Sequence, residues 1–268
     1  MLQFTNMITS ARNPKIQLVR ELLAHPKTRR ERQAFVVEGV RLVEEALQSG
    51  WEAQLVLHTE DLPPRGLAAA QEFAGRGAVI EIVSPQALKA VSDTEAPQGI
   101  LAVLSLYPLP LPPKPDFILI LDGLRDPGNM GTILRTAAAA QVQAVLLPRG
   151  ATDPFAPKVV RSGMGAHFRL PIQSLSWLDI RAYVKPSANR APLVVYQAES
   201  SGGLPHTQAD FRSPLALIVG GEAEGAGVEA RSLADARVNI SMPGQAESLN
   251  AAVAAAILIF EVVRQRGK

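Results

Sequence analysis

Two unbroken apolar runs, residues 117–121 (FILIL) and 215–219 (LALIV), do most to restrict what this chain can become. A strand with one wet face alternates apolar and polar side chains. A run without alternation must be covered on both faces, as in a mostly parallel sheet layered with helices. Between and beyond these runs the spacing predicts helices over 131–140, 158–164 and 175–184, and a long one over 249–264. It predicts further strands over 144–147, 193–196 and 238–242. Residues 116–268 therefore read as one α/β domain.

Upstream, residues 107–115 (YPLPLPPKP) place five prolines in nine positions. That density favours extended backbone and stops any helix, so the segment reads as a semi-rigid linker, with a long loop inside one domain as the alternative. The part before it, 1–106, is a smaller α/β domain: helices over 16–23, 40–47, 67–74 and 85–91, and strands over 34–37, 55–57, 79–83 and 100–106. Gly50 reads as the close of the second helix.

Composition removes several function classes. The 268-residue chain has no cysteine, so disulfides, thiolate nucleophiles and cysteine metal sites are excluded. Its four histidines (His25, His58, His167, His206) lie far apart, and no metal is expected. No secretory signal pattern is visible, and the apolar stretch 249–263 is broken by Asn250 and Glu261 and too short for a bilayer. A soluble, cytoplasmic protein without membrane contact is expected. A formal charge of +2 excludes a polybasic arm as the main device, and 5% aromatics argue against a stacking platform. Charge is nevertheless uneven: Arg12, Lys15, Arg20, Lys27, Arg29, Arg30, Arg32 and Arg41 crowd one end of the first domain against only Glu21, Glu31 and Glu38. This cluster reads either as a phosphate-contacting surface or as a solvated helix face with i,i+4 pairs.

Three segments at strand ends hold the chemistry. In 122–136 (DGLRDPGNMGTILRT) a strand runs into a Pro-Gly turn. Asn129 is placed to cap the next helix, Gly131 permits close approach, and Arg135 lies a turn or so in. A turn and cap explain Pro127, Gly128 and Asn129, but explain Arg135 less well. In 220–227 (GGEAEGAG) four glycines let backbone groups approach a ligand, while Glu222 and Glu224 oppose a phosphate cradle. A flexible loop with solvated acids is the alternative. In 240–257 (ISMPGQAESLNAAVAAAI) Pro243 and Gly244 turn the chain, Ser248 is a good N-cap and Asn250 falls in the first turn of an Ala-rich helix.

Together the three segments resemble the motifs of the SpoU (TrmH-type) RNA 2′-O-ribose methyltransferases of the SPOUT superfamily. N-x-G-x-x-x-R appears as Asn129, Gly131 and Arg135. The G-x-E pattern followed by glycine matches Gly220, Glu222 and Gly225. I-x-M-x-G followed by S-L-N matches Ile240, Met242, Gly244, Ser248, Leu249 and Asn250. The first domain is similar to the family's L30e-like RNA-binding module, through residues 10–14 (SARNP), Phe35, Glu38, Gly39 and 45–47 (EAL). Two departures stand out: Ala223-Glu224 where relatives have a glycine and a variable residue, and Ala251-Ala252 in place of Val-Ser.

The resemblance implies a C-terminal domain whose tail threads a deep trefoil knot, S-adenosylmethionine as cofactor, and a homodimer. It implies cofactor contacts from Leu217, Val219, Gly220, Gly221, Gly225, Ile240, Met242, Gly244, Ser248 and Leu249. Arg135, Asn129, Glu222, Ser248 and Asn250 form the implied catalytic set, in which Arg135 stabilises developing charge on the ribose oxygen or anchors a phosphate, because a guanidinium stays protonated. Whether Arg135 acts in its own subunit or across the dimer stays open, as does the proton acceptor. RNA would be held by Arg12, Lys15, Arg29, Arg30, Arg32 and Arg41. The substrate implied is 23S rRNA, with transfer RNA second. The alternatives are an RNA-binding protein with a degenerate pocket and a small-molecule enzyme on the same scaffold.

Overall fold

The structure, a computed structural model, describes residues 7–92, 94–188, 191–221, 225–244 and 247–267. The chain divides into two compact units, Met1–Tyr107 with Phe155–Phe168, and Pro108–Pro154 with Arg169–Lys268.

In chain order the first unit carries α1 (Pro14–Ala24), α2 (Pro26–Arg32), β1 (Ala34–Glu38), α3 (Val40–Gln48), β2 (Ala53–His58), α4 (Pro64–Gly75), β3 (Val79–Ile82), α5 (Pro85–Lys89) and β4 (Ile100–Ser105). The strands form a mixed sheet in the order β1-β4-β2-β3, with β4 antiparallel to both neighbours and β3 parallel to β2. Ile16, Val19 and Leu22 are one helical face of α1, and they share a core with Leu55, Leu57 and Val103 of the sheet. Pro26 opens α2 immediately after α1 ends at His25, so the predicted first helix is followed by a second that periodicity does not reveal.

The rest of the chain carries β5 (Phe117–Asp122), α6 (Pro127–Ala139), β6 (Ala144–Leu147), α7 (Pro157–Gly163), β7 (Ile172–Ser174), α8 (Trp177–Val184), β8 (Val194–Glu199), β9 (Leu204–Pro205), β10 (Leu215–Gly220), α9 (Val228–Leu233), β11 (Ala236–Asn239) and α10 (Ala251–Gln265). Seven strands of the second unit run β7-β6-β5-β10-β8-β11-β9, and every pairing is parallel. The two apolar runs lie side by side as β5 and β10 at its centre, with each of Phe117 to Leu121 and Leu215 to Val219 buried. This is the two-sided coverage their lack of alternation requires.

One segment departs from a linear division of the chain. Phe155–Phe168, which includes α7, belongs to the first unit. Its aromatic rings explain why: Phe155 lies 5.0 Å from Phe35, Phe168 lies 5.7 Å from Trp51, and the Trp51 indole donates to the Phe168 carbonyl at 3.2 Å. Tyr107, at the end of the first unit, stacks on the same indole at 4.7 Å. Aromatic pairs at such spacings add to the apolar area they bury.

Two helix starts differ from expectation. α6 begins at Pro127, so the Pro-Gly turn is its first turn. Asp126, not Asn129, is its cap and accepts from the Asn129 N–H at 2.7 Å. α10 is capped by Asn250, not Ser248: the Asn250 Oδ1 accepts from the N–H groups of Ala252 and Val253. In both cases the residue able to reach two or three positions ahead has won the orphan amides.

Candidate functional site

β10, β8 and β11 are adjacent parallel strands, and their carboxyl ends open onto one cavity of about 630 Å³. Open parallel sheets bind ligands at this edge. Among the lining residues are Val219, Gly220, Gly221 and Gly225 from the end of β10 and the turn after it, Ile240 and Met242 after β11, and Ser248, Leu249 and Asn250 before α10. The second and third sequence segments, separated in the chain by α9 and β11, therefore meet around a single space.

The glycines are there for backbone clearance. A Cβ on Gly221 would stand 2.3 Å from the Gly123 carbonyl oxygen, and one on Gly220 would stand 2.4 Å from the Ala226 nitrogen. Nothing larger fits where the end of β10 passes the backbone after β5. The turn closes on itself through the Gly225 N–H to the Gly221 carbonyl at 3.1 Å. It is tied to β5 by the Gly227 N–H, which donates to the buried Asp122 carboxylate at 2.7 Å.

Two expected cofactor contacts are not in the lining. Leu217 is wholly buried in the middle of β10, below the strand end, and Gly244 is exposed outside the cavity. Glu222 lies outside the described residues. Sequence reasoning missed Gln197 and Glu199 of β8, Arg231 of α9, Val238 of β11, and Ala254 and Leu258 of α10, all of which line the space. The available signal was the break from apolar to polar at the end of β8, where VVY gives way to QAES.

Of the expected catalytic set, Asn129 and Asn250 are brought together, with the Asn250 Nδ2 donating to the Asn129 Oδ1 at 3.0 Å. Asn250 thus caps α10 with one side-chain atom and holds the first turn of α6 with the other. Arg135 stands apart. Six residues beyond Asn129 on an α-helix is a rise of about 9 Å and a turn to a face roughly 120° away. Its side chain is exposed, is not part of the lining, and makes no hydrogen bond or ion pair among the described residues.

In the first unit, Arg12, Arg30, Arg32 and Arg41 are exposed. Lys15 forms an ion pair with Glu81, which ties α1 to β3. Arg29 is not a surface cation. It is 3% exposed and its guanidinium donates to the carbonyls of Leu22 and Leu23 at the end of α1, so the charge is spent on capping that helix. No group of acidic or histidine side chains suited to a metal occurs among the described residues, and none of their helices is long and apolar enough to cross a membrane.

Fold and cavity define an α/β protein of the open parallel-sheet class, with a ligand site at the carboxyl edge of its strands and a separate smaller unit that is basic at one end. The family model of the SpoU rRNA Methylase family matches residues 116–260, and that of the MRM3-like substrate binding domain matches 13–102. The chain belongs to the SpoU rRNA methylase family. It is 37% identical over 95% of its length, and 98% of the other chain, to the 23S rRNA (guanosine(2553)-2′-O)-methyltransferase RlmP of Bacillus subtilis. Among solved structures it resembles the SpoU methyltransferase AviRb of Streptomyces viridochromogenes in complex with AdoMet (TM-score 0.87, 30% identity, 96% of this chain and 99% of the other). It also resembles an AdoMet-bound rRNA methyltransferase of Sinorhizobium meliloti (TM-score 0.86, 30% identity, 96% and 97%).

Proposed function

We propose that the protein transfers a methyl group from S-adenosylmethionine to a ribose 2′-oxygen of ribosomal RNA, with 23S rRNA as the substrate. One observation carries this reading: Gly220, Gly221, Gly225, Ile240, Met242, Ser248, Leu249 and Asn250 line one cavity. Relatives that span nearly the whole chain, and act on 23S rRNA, support the substrate.

The cavity suits the cofactor. Its volume falls within the range of small-ligand sites. Val238, Ile240, Met242, Leu249 and Leu258 supply an apolar lining beside the backbone of 219–221, and Arg231 supplies a positive charge suited to the ligand's carboxylate. When bound, S-adenosylmethionine supplies an already activated methyl group, so the protein has no electrophile to create. Its residues must align the ribose hydroxyl and stabilise the charge that grows on the oxygen as its proton leaves. Asn129 and Asn250 fix the rim of the site through their shared hydrogen bond. Arg135 stabilises the developing alkoxide and grips the neighbouring phosphate through its guanidinium.

Arg135 does so from the second copy of a homodimer. Its exposure outside its own cavity supports this, as does α10, which packs on α6 and leaves Val253 and Phe260 about half exposed on a stripe completed by Ala256 and Ile257. An apolar stripe at i, i+3, i+4, i+7 on an otherwise well-buried helix suits a twofold contact. The trefoil knot belongs to the same proposal: the return of the chain from β11, near one edge of the sheet, to α10 packed on α6 supports it.

The test is a comparison of ribose 2′-O-methyl positions in total RNA, mapped by resistance to alkaline cleavage, with and without the gene. One 23S position is expected to lose its protection. An unchanged map, or a loss confined to transfer RNA, contradicts the substrate assignment.

A further inference from the structure

Gln197 is an anomaly in the cavity wall. It lines the space yet is 1% exposed, and its Oε1 is enclosed with no hydrogen-bond partner. An enclosed amide oxygen without a donor is costly, and such atoms are rare enough that each needs a reason. The amide cannot cure the defect by flipping. Its Nε2 donates to Glu199 Oε1 at 2.8 Å, and a carboxylate accepts only from the nitrogen side. Glu199 is itself oriented by Arg237, whose Nη1 lies 3.7 Å from Oε2. Gln197 and Glu199 are two apart on β8, so they project from the same face of the strand. β8 lies between β10, where Gln197 is in register with Ile218, and β11, where Glu199 is in register with Asn239. The strand wall beside the glycine turn thus presents two side-chain acceptors, with one N–H of the Gln197 amide already committed to Glu199.

That pattern selects among the donors of the cofactor proposed above, on whose presence this inference rests. The edge of adenine offers a donor beside acceptors, and reading it with an amide uses Nε2 and Oε1 side by side; here the bond to Glu199 takes one N–H of Nε2 and sets the direction of the amide. An ammonium is a poor match for a neutral amide oxygen at this depth, next to a carboxylate already facing Arg237. A vicinal diol offers two O–H donors and needs two acceptors. A carboxylate at the end of a parallel strand is a general way to hold a nucleoside ribose in open sheets. We infer that Gln197 and Glu199 hold the ribose hydroxyls of the bound cofactor, with Glu199 orienting the amide so that Gln197 Oε1 accepts. The terminal amide torsion of a glutamine is soft, and a small turn brings Oε1 to the face that already lines the cavity.

The test is calorimetric binding of S-adenosylhomocysteine and its 2′-deoxy, 3′-deoxy and N6-methyl analogues to the full-length protein and to Gln197→Met and Glu199→Gln. Gln197→Met is expected to bind the parent compound about tenfold more weakly, the loss of one hydrogen bond. For the wild type, one deoxy analogue should lose the same factor. On Gln197→Met that analogue should bind as the parent does, because the partner of the missing hydroxyl is gone. In turnover, the KM for S-adenosylmethionine should rise about tenfold with kcat retained. Should Gln197→Met not fold, judged by far-ultraviolet circular dichroism, the partly exposed Glu199→Gln carries the test through the same loss of sensitivity to a missing hydroxyl. Wild-type binding of the parent by Gln197→Met, a deoxy penalty that persists undiminished in both variants, or a loss confined to the N6-methyl compound overturns the inference. Failure of the wild type to bind S-adenosylhomocysteine at all overturns the cofactor reading beneath it.

Discussion

Single residues divide into those that bind, those that hold the frame and those placed for chemistry, and substitution should separate them. Arg135→Ala removes a side chain with no partner among the described residues and no place in the cavity lining. The expected result is a fall in kcat of at least about 100-fold, with the Kd for S-adenosylhomocysteine changed less than about twofold, the pattern of a group used only in the transition state. Asn250→Ala deprives two amides of α10 of their cap and Asn129 of its donor. Denaturant unfolding should show a loss of about 1 kcal/mol, and activity should fall as well. Arg29→Ala strands the carbonyls it now serves and should cost about 1–3 kcal/mol in the same measurement, whatever RNA is present. At this scale the motif residues were legible because their spacing is distinctive. Arg29 was not, because a buried, carbonyl-capping arginine and a surface arginine read alike in sequence. Gln197 left only the break from VVY to QAES, which marks a strand end, since the importance of its amide comes from what surrounds it.

At the scale of elements, α10 combines a buried network with an exposed stripe. Glu261 is buried, and hydrogen bonds from the Arg264 guanidinium, joined by Gln265, outweigh the effect of burial and hold its carboxyl down to about 2, against an ordinary value near 4.5. The folded value lies below the unfolded one. The stabilisation is therefore complete above about pH 4.5 and is lost as the pH falls from there toward 2. Tm should decline over that interval in the wild type and decline less steeply in Glu261→Gln. The apolar stripe tests the proposed dimer: Phe260→Asp places a charge in it, and the proposal expects light scattering to show a dimer for the wild type and a monomer for the variant, with methyl transfer lost. Periodicity predicted α10 well, to within two residues of its start. It erred on the cap because Ser248 and Asn250 are both good caps, and only the tertiary bond to Asn129 favours the second. The strands β7 and β9, three and two residues long, are too short to leave a pattern.

For the molecule as a whole, the two apolar runs, alternating with helical segments, pointed to a mostly parallel sheet, because strands without alternation need cover on both faces and intervening helices supply it. The order of strands, with β10 inserted between β5 and β8, and the membership of Phe155–Phe168 in the first unit were not legible. Both depend on contacts between residues far apart in the chain, such as Trp51 with Phe168. The basic end of the first unit makes a prediction of its own. Changing Arg30 and Arg32 together to alanine should weaken RNA binding and reduce the slope of log K against log salt by about two, the signature of two lost phosphate contacts. Cofactor affinity should be unaffected.

The most direct measurement is transfer of a labelled methyl group from S-adenosylmethionine to 23S rRNA by the purified protein, followed by complete nuclease digestion and identification of the labelled nucleoside. The account predicts a single 2′-O-methylribonucleoside, absent with Arg135→Ala. Label on a base, or no label under conditions where S-adenosylhomocysteine binds, would contradict it.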